Sequence, residues 1–100
     1  MKAAWNGNVI AEADKKDLIY IEGHWYFPAS SIKPEYFRKS DTPYTCYWKG
    51  SCQYFDVGQD DTWSKDNAWT YPTLMPSAID RVKKDFSNYV AFWRDVHFTE

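Results

Sequence analysis

Tyr44-Thr45-Cys46-Tyr47-Trp48-Lys49-Gly50-Ser51-Cys52-Gln53-Tyr54-Phe55-Asp56-Val57 is the stretch on which the fold turns. Aromatic residues dominate both arms, and Lys49-Gly50 interrupts them with turn chemistry. The stretch predicts a hairpin: a strand from Tyr44 to Trp48, a turn near Lys49-Gly50, and a return strand from Ser51 to Val57. Side chains alternate along a strand, so Tyr44, Cys46 and Trp48 share one face. A three-residue turn over Lys49-Gly50-Ser51 sets Trp48 against Cys52 and Cys46 against Tyr54, all on that face. A two-residue turn puts the cysteines on opposite faces. In neither register are they direct partners, so free thiols are expected. Cys46, Trp48, Cys52 and Tyr54 read first as core, because free Cys is among the most buried residue types. The alternative makes Cys46 a nucleophile or a pocket lining.

Outward from this hairpin the punctuation is regular. Asn6-Gly7 is a two-residue hairpin signal joining Ala3–Trp5 to Val9–Ala13. Leu18 to Glu22 reads as a strand with Ile19 and Ile21 on one face and Leu18 and Tyr20 on the other; Gly23 breaks it before an extended His24–Pro28. Ser30 and Ser31 are positioned to cap a short helical turn running to Phe37. Gly58–Asp61 turns the chain, and Thr62–Ser64 and Ala68–Tyr71 are short strand candidates. Pro76 suits the first turn of a helix whose apolar stripe is Ile79, Val82 and Phe86. Tyr89 to Phe98 reads as one final strand. The expected fold is mainly β: a twisted antiparallel sheet or half-open barrel of about seven short strands, with one short C-terminal helix before the last strand. Residues 1–100 are expected to form a single domain.

Composition narrows the function classes. Lys and Arg number 12 against 14 Asp and Glu, a net charge of −2 with no basic patch, so nucleic acid is not an expected partner. Arg81, Lys83 and Lys84 read as the wet face of the helix. No apolar run approaches a membrane span or a leader's h-region, so neither membrane insertion nor export is expected and the chain reads as cytoplasmic. Aromatics are unusually dense, at 20% of residues with 6 Trp, 8 Tyr and 6 Phe. Rings bury roughly 150–250 Å² each, more than so small an interior accommodates, so some must line a cleft or form a contact patch.

Candidate sites follow. Tyr26, Trp69 and Tyr71 lie in Pro-flanked segments, where they either form a cage for a flat or cationic ligand or plug the open end of the sheet. Lys49 is either a solvent-facing turn residue or an anion contact beside the rings. Gly50 is expected to supply the turn's positive φ. A Cys–His enzyme would need His24 or His97 beside Cys46, and nothing in the spacing brings either there. Zinc would need His24, Cys46, Cys52 and His97 together, without any Cys-x-x-Cys or His-x-x-x-His pair, so no metal is expected. No cofactor motif is present either.

Cys46-Tyr47-Trp48-Lys49-Gly50 with Tyr54, Tyr26-Phe27-Pro28, Ala68-Trp69-Thr70-Tyr71-Pro72, Val90-Ala91-Phe92-Trp93 and the Asn6-Gly7 with Ile10-Ala11-Glu12 region occur in an order that resembles a bacterial family. This is the domain-of-unknown-function family numbered 427, some of whose members carry a nucleotidyltransferase label. The resemblance covers nearly the whole chain and implies a small, mainly-β, single-domain protein without an established activity. The chain departs from the family pattern at Tyr47, often proline there, and in a helix a few residues longer before Val90. The transferase label meets no matching chemistry. That reaction wants Gly-Ser and then Asp-x-Asp after a short strand; Gly50-Ser51 is present, Asp56 stands alone, and the adjacent Asp60 and Asp61 would point to opposite sides of an extended chain.

Three classes of function stay open on the residues. The first is a non-catalytic module binding a small molecule or peptide in an aromatic cleft walled by Tyr26, Trp48, Tyr54, Trp69 and Tyr71, with Cys46 and Lys49 at its edge. The second is a small-substrate enzyme using Cys46 or a Tyr/Lys pair. The third is a structural or interaction domain, homo-oligomeric through exposed aromatics such as Trp25, Trp63 or Trp93.

Overall fold

The computed structural model describes residues 1–100. Nine strands are present: β1 (Lys2–Trp5), β2 (Asn8–Glu12), β3 (Ile19–Ile21), β4 (His24–Phe27), β5 (Phe37–Cys46), β6 (Gly50–Gln59), β7 (Thr62–Thr70), β8 (Val90–Phe92) and β9 (Val96–Thr99), with one helix, α1 (Pro76–Val82), before the last two. They form a three-stranded sheet ordered β2-β1-β9 and a six-stranded sheet ordered β3-β4-β8-β7-β6-β5. Every pairing is antiparallel, and neither sheet closes into a barrel.

The six-stranded sheet is apolar on both faces, and alternation divides its residues between two cores. One face packs on the small sheet: Phe27, Val57, Ala68, Val90 and Phe92 meet Ala3, Trp5, Ile10 and Val96. The opposite face carries Tyr26, Trp69 and Ala91 and is covered by the segment after β7, through Tyr71, Ala78 and Phe86. Thus Tyr26 and Phe27, neighbours in sequence, serve different cores, as period-two geometry requires.

Two hairpins turn on left-handed residue pairs. Asn6 and Gly7 both have positive φ (49° and 80°) between β1 and β2, the left-handed pair that matches the twist of a two-residue hairpin. Glu22 and Gly23 repeat this (51° and 85°) between β3 and β4, where the sequence showed only a strand break.

Five expectations are corrected. The central turn comprises Tyr47-Trp48-Lys49, with Cys46 opposite Gly50 and Tyr44 opposite Cys52, so Trp48 sits in the turn and not in the strand. Its docking explains the shift: Met75 N–H donates to Lys49 O (3.0 Å) and Ser77 Oγ to Trp48 O (2.8 Å), pinning the turn against the start of α1. Thr62–Ser64 and Ala68–Tyr71 belong to one long β7, bulged opposite Phe55–Val57. The final strand is two: Arg94 adopts φ 58° and the chain leaves the large sheet as β8 to join the small one as β9. Helix α1 ends at Val82 on a left-handed Lys83, and Ala78 is its buried residue, while Ile79 faces outward and Phe86 enters the core from beyond the helix. Finally, the Ser30-Ser31 region forms two short 3-10 turns, Ala29–Ser31 and Pro34–Tyr36, without side-chain caps.

Candidate functional site

The helix-side face of the large sheet is organised by one cross-strand row. Tyr26 pairs with Ala91, Ala91 with Trp69, and Trp69 with Tyr54. Ala91 has no bulk above it, and the two large rings on either side meet over it: Trp69 Nε1 donates to Tyr26 Oη at 3.1 Å, both groups buried. Two residues along each strand lie the next rings on the same face: His24 before Tyr26, Trp93 after Ala91, Tyr71 after Trp69. Tyr44 joins from the edge strand, opposite Cys52.

These side chains enclose a cleft of about 430 Å³ lined by Glu22, His24, Tyr26, Tyr44, Lys49, Tyr54, Trp69, Tyr71 and Trp93. Trp69 lies at its centre. His24 stands at 85° to it (centroids 4.9 Å apart), Tyr26 at 87° (6.3 Å) and Trp93 at 66° (5.0 Å). Tyr54 lies nearly parallel to Trp93, 17° at 6.3 Å. These rings pack directly against Trp69, and such edge-to-face contacts are the arrangement the aromatic quadrupole favours. Behind them, Phe86 backs both Tyr26 (5.6 Å) and Tyr71 (6.4 Å).

One ion pair closes the rim. Lys49 Nζ bonds Glu22 Oε1, joining the β5–β6 turn to the β3–β4 turn. Of the two readings of Lys49, the solvent-facing one is overturned: its side chain is 8% exposed, against 51% for Glu22, and it meets an anion beside the rings. The ammonium also lies over the rings of Trp48 (4.9 Å) and Tyr71 (5.5 Å). Arg81 covers Trp48 from α1 at 4.4 Å, so it is no mere wet-face residue of the helix.

Of the residues singled out from sequence, Tyr26, Lys49, Tyr54, Trp69 and Tyr71 line the cleft together. Cys46 and Trp48 belong to the same buried cluster as these rings but are not among the residues that line the cleft. Glu22, His24, Tyr44 and Trp93 were missed. Alternation carried a signal for three of them, since His24 shares a face with Tyr26, Tyr44 with Cys46 and Trp93 with Ala91. Glu22 had none, because its role rests on a partner 27 positions away.

Burial keeps one thiol and two phenols here protonated. Burial pushes the Cys52 thiol up to about 11, only partly offset by a hydrogen bond with Tyr71 and by Lys49. Burial likewise raises the Tyr26 and Tyr71 phenols well above their usual range, with the Trp69 N–H opposing it at Tyr26. Neither cysteine is in a disulfide. The carboxylate considered for nucleotidyl transfer, Asp56, is engaged in structure: Oδ2 accepts from Arg38 Nε (3.2 Å) and Oδ1 from the Asp66 N–H (3.0 Å). Asp60 and Asp61 form the β6–β7 turn. No three His, Cys, Asp or Glu side chains gather into a metal-ligating group.

No helix is long and apolar enough to cross a membrane. No curated protein matches the chain. The family model described as a domain of unknown function, DUF427, matches residues 1–99. That match spans all but the last residue, and the chain belongs to the DUF427 family.

Proposed function

We propose that this protein is a non-catalytic binding module whose aromatic cleft receives a small molecule or a peptide side chain. The observation that carries this reading is the convergence of six aromatic rings, Tyr26, Tyr44, Tyr54, Trp69, Tyr71 and Trp93, on one concavity beside a single ion pair. Small-molecule sites are mostly apolar hollows with a few placed polar groups, and this cleft has that composition.

The chemistry of its neighbours favours binding over catalysis. A cysteine nucleophile reacts as thiolate. Cys46 is buried and does not line the cleft, and Cys52 holds its proton far above neutral pH. The Tyr/Lys pair is a contact between ammonium and ring face, not a proton-transfer pair. The interaction-patch reading draws little support: Lys15 covers Trp25 (5.3 Å), Arg38 covers Trp63 (4.4 Å) and Arg94 covers Trp93 (4.5 Å).

The test is a metabolite library screened by tryptophan emission and melting temperature. Trp69 and Trp93 line the cleft, so a ligand there changes emission. At a hundred times its dissociation constant it stabilises the fold by about 2.7 kcal/mol. Hits that vanish in Trp69→Ala or Trp93→Ala proteins that still fold support the module. Hits indifferent to both substitutions, or none at all, refute it.

A further inference from the structure

The ligand class follows from how the cleft is charged, and the inference rests on the cleft being the binding site. Lys49 is more than nine-tenths buried, yet its ammonium has a single protein acceptor, the Glu22 carboxylate. An ammonium carries three N–H donors, and a buried donor left unmet is costly. Beyond Glu22 the protein offers those donors only the ring faces of Trp48 and Tyr71, so an acceptor oxygen entering the cleft that Lys49 lines gains a charge-assisted hydrogen bond there.

Charge then decides which acceptor. Glu22 and Lys49 cancel, so the pair is neutral as it stands. A carboxylate ligand would give one buried ammonium two anions, with Glu22 repelling the newcomer. A cationic ligand would leave two cations sharing one carboxylate, beside rings already serving Lys49. An uncharged acceptor leaves the pair intact. The shape of the remainder is set by the ring-lined walls of the cleft, Tyr44, Tyr54, Trp69 and Trp93 among them. A planar ring placed there gains offset-stacked and edge contacts together.

We infer that the cleft recognises an uncharged planar ring bearing a carbonyl oxygen, the ring held against the aromatic walls of the cleft and the carbonyl accepting from Lys49 Nζ. Three probes on one ring separate the alternatives: nicotinamide is neutral, nicotinate anionic and 1-methylnicotinamide cationic. Each is titrated into ¹⁵N-labelled protein, following the indole N–H signals of Trp69 and Trp93. The expected result is saturable shifts of both signals with nicotinamide, and weaker binding of the two charged probes. Lys49→Met should weaken nicotinamide about tenfold or more, the size of a lost hydrogen bond to a charged group, and Lys49→Arg should restore part of it. If Lys49→Met fails to fold, the ranking of the three probes decides alone. Tighter binding of nicotinate or of 1-methylnicotinamide overturns the inference and leaves the binding module standing. So does nicotinamide binding that ignores Lys49→Met, or silence from all three probes while the library yields cleft ligands. Silence from both probes and library defeats the binding module itself.

Discussion

Removing one oxygen atom tests the architecture of the cleft. In Tyr26→Phe the ring stays and the acceptor for Trp69 Nε1 goes. Tyr26 is 1% exposed and the bond it accepts is 3.1 Å long, so its loss leaves the Trp69 N–H buried without that partner. A buried donor stripped of its partner costs its desolvation penalty, about 1–3 kcal/mol. For a domain of this size each kcal/mol lowers the melting temperature by roughly 4–8 °C, so a fall of about 5–20 °C is expected. Equilibrium urea unfolding followed by circular dichroism measures the energy, and the indole N–H resonance of Trp69 reports the broken bond directly. Tyr44→Phe is the internal control: its hydroxyl belongs to a half-exposed ring, so its loss should stay within about 0.5 kcal/mol of the parent. A Tyr26→Phe protein within that same margin would mean that the Tyr26–Trp69 bond over Ala91 does not hold the cleft together.

Three further outcomes are expected. Trp48→Ala empties a site packed between Lys49 and Arg81 and should destabilise by about 3–5 kcal/mol in the same urea assay, although Trp48 sits in a turn; an unchanged midpoint would refute that packing. Gly50→Ala should destabilise because Gly50 has φ 124° and a Cβ there would meet Thr73 O at 2.9 Å; melting temperature checks it, and a neutral result would show that the Thr73 backbone yields freely. Cys52 is raised in the fold from 9.0 to about 11, so its contribution to stability is complete below about pH 9 and is lost as pH climbs through 11, when the unfolded chain releases its proton first. Unfolding midpoints should therefore fall in that window, less so for Cys52→Ser, and at pH 8 folded Cys52 should alkylate far more slowly than in urea; equal rates would refute its protected environment.

Particular residues show how far local chemistry reaches. Period-two alternation correctly placed Ile19 with Ile21 on a buried face, and Asn6-Gly7 correctly joined β1 to β2, because both effects act over a few bonds. The same alternation put Cys46, Cys52 and Tyr54 on one face even though the turn register was displaced, since the face survives a shift that preserves parity. It failed at Trp93–Asp95. The chain there keeps a strand-like pattern on both sides, but Trp93 Nε1 donates to Asp66 O (2.6 Å) and Arg94 turns left-handed, a break set by a residue 27 positions away.

The sequence by itself determined the mainly-β class, the hairpins and the surplus of rings that had to line something, because turn chemistry, alternation and ring area are properties of short segments or of composition. Only the tertiary structure decided which rings met. The order β4-β8-β7-β6 set Tyr26, Ala91, Trp69 and Tyr54 in one row, from segments with no local relation to one another. The docking of the Tyr47–Lys49 turn on α1 carried Trp48 into the core and Lys49 against Glu22, converting an ordinary turn lysine into the buried charge at the rim of the cleft. Burial and ion pairing depend on what the rest of the chain brings to a residue, and no residue carries that information alone.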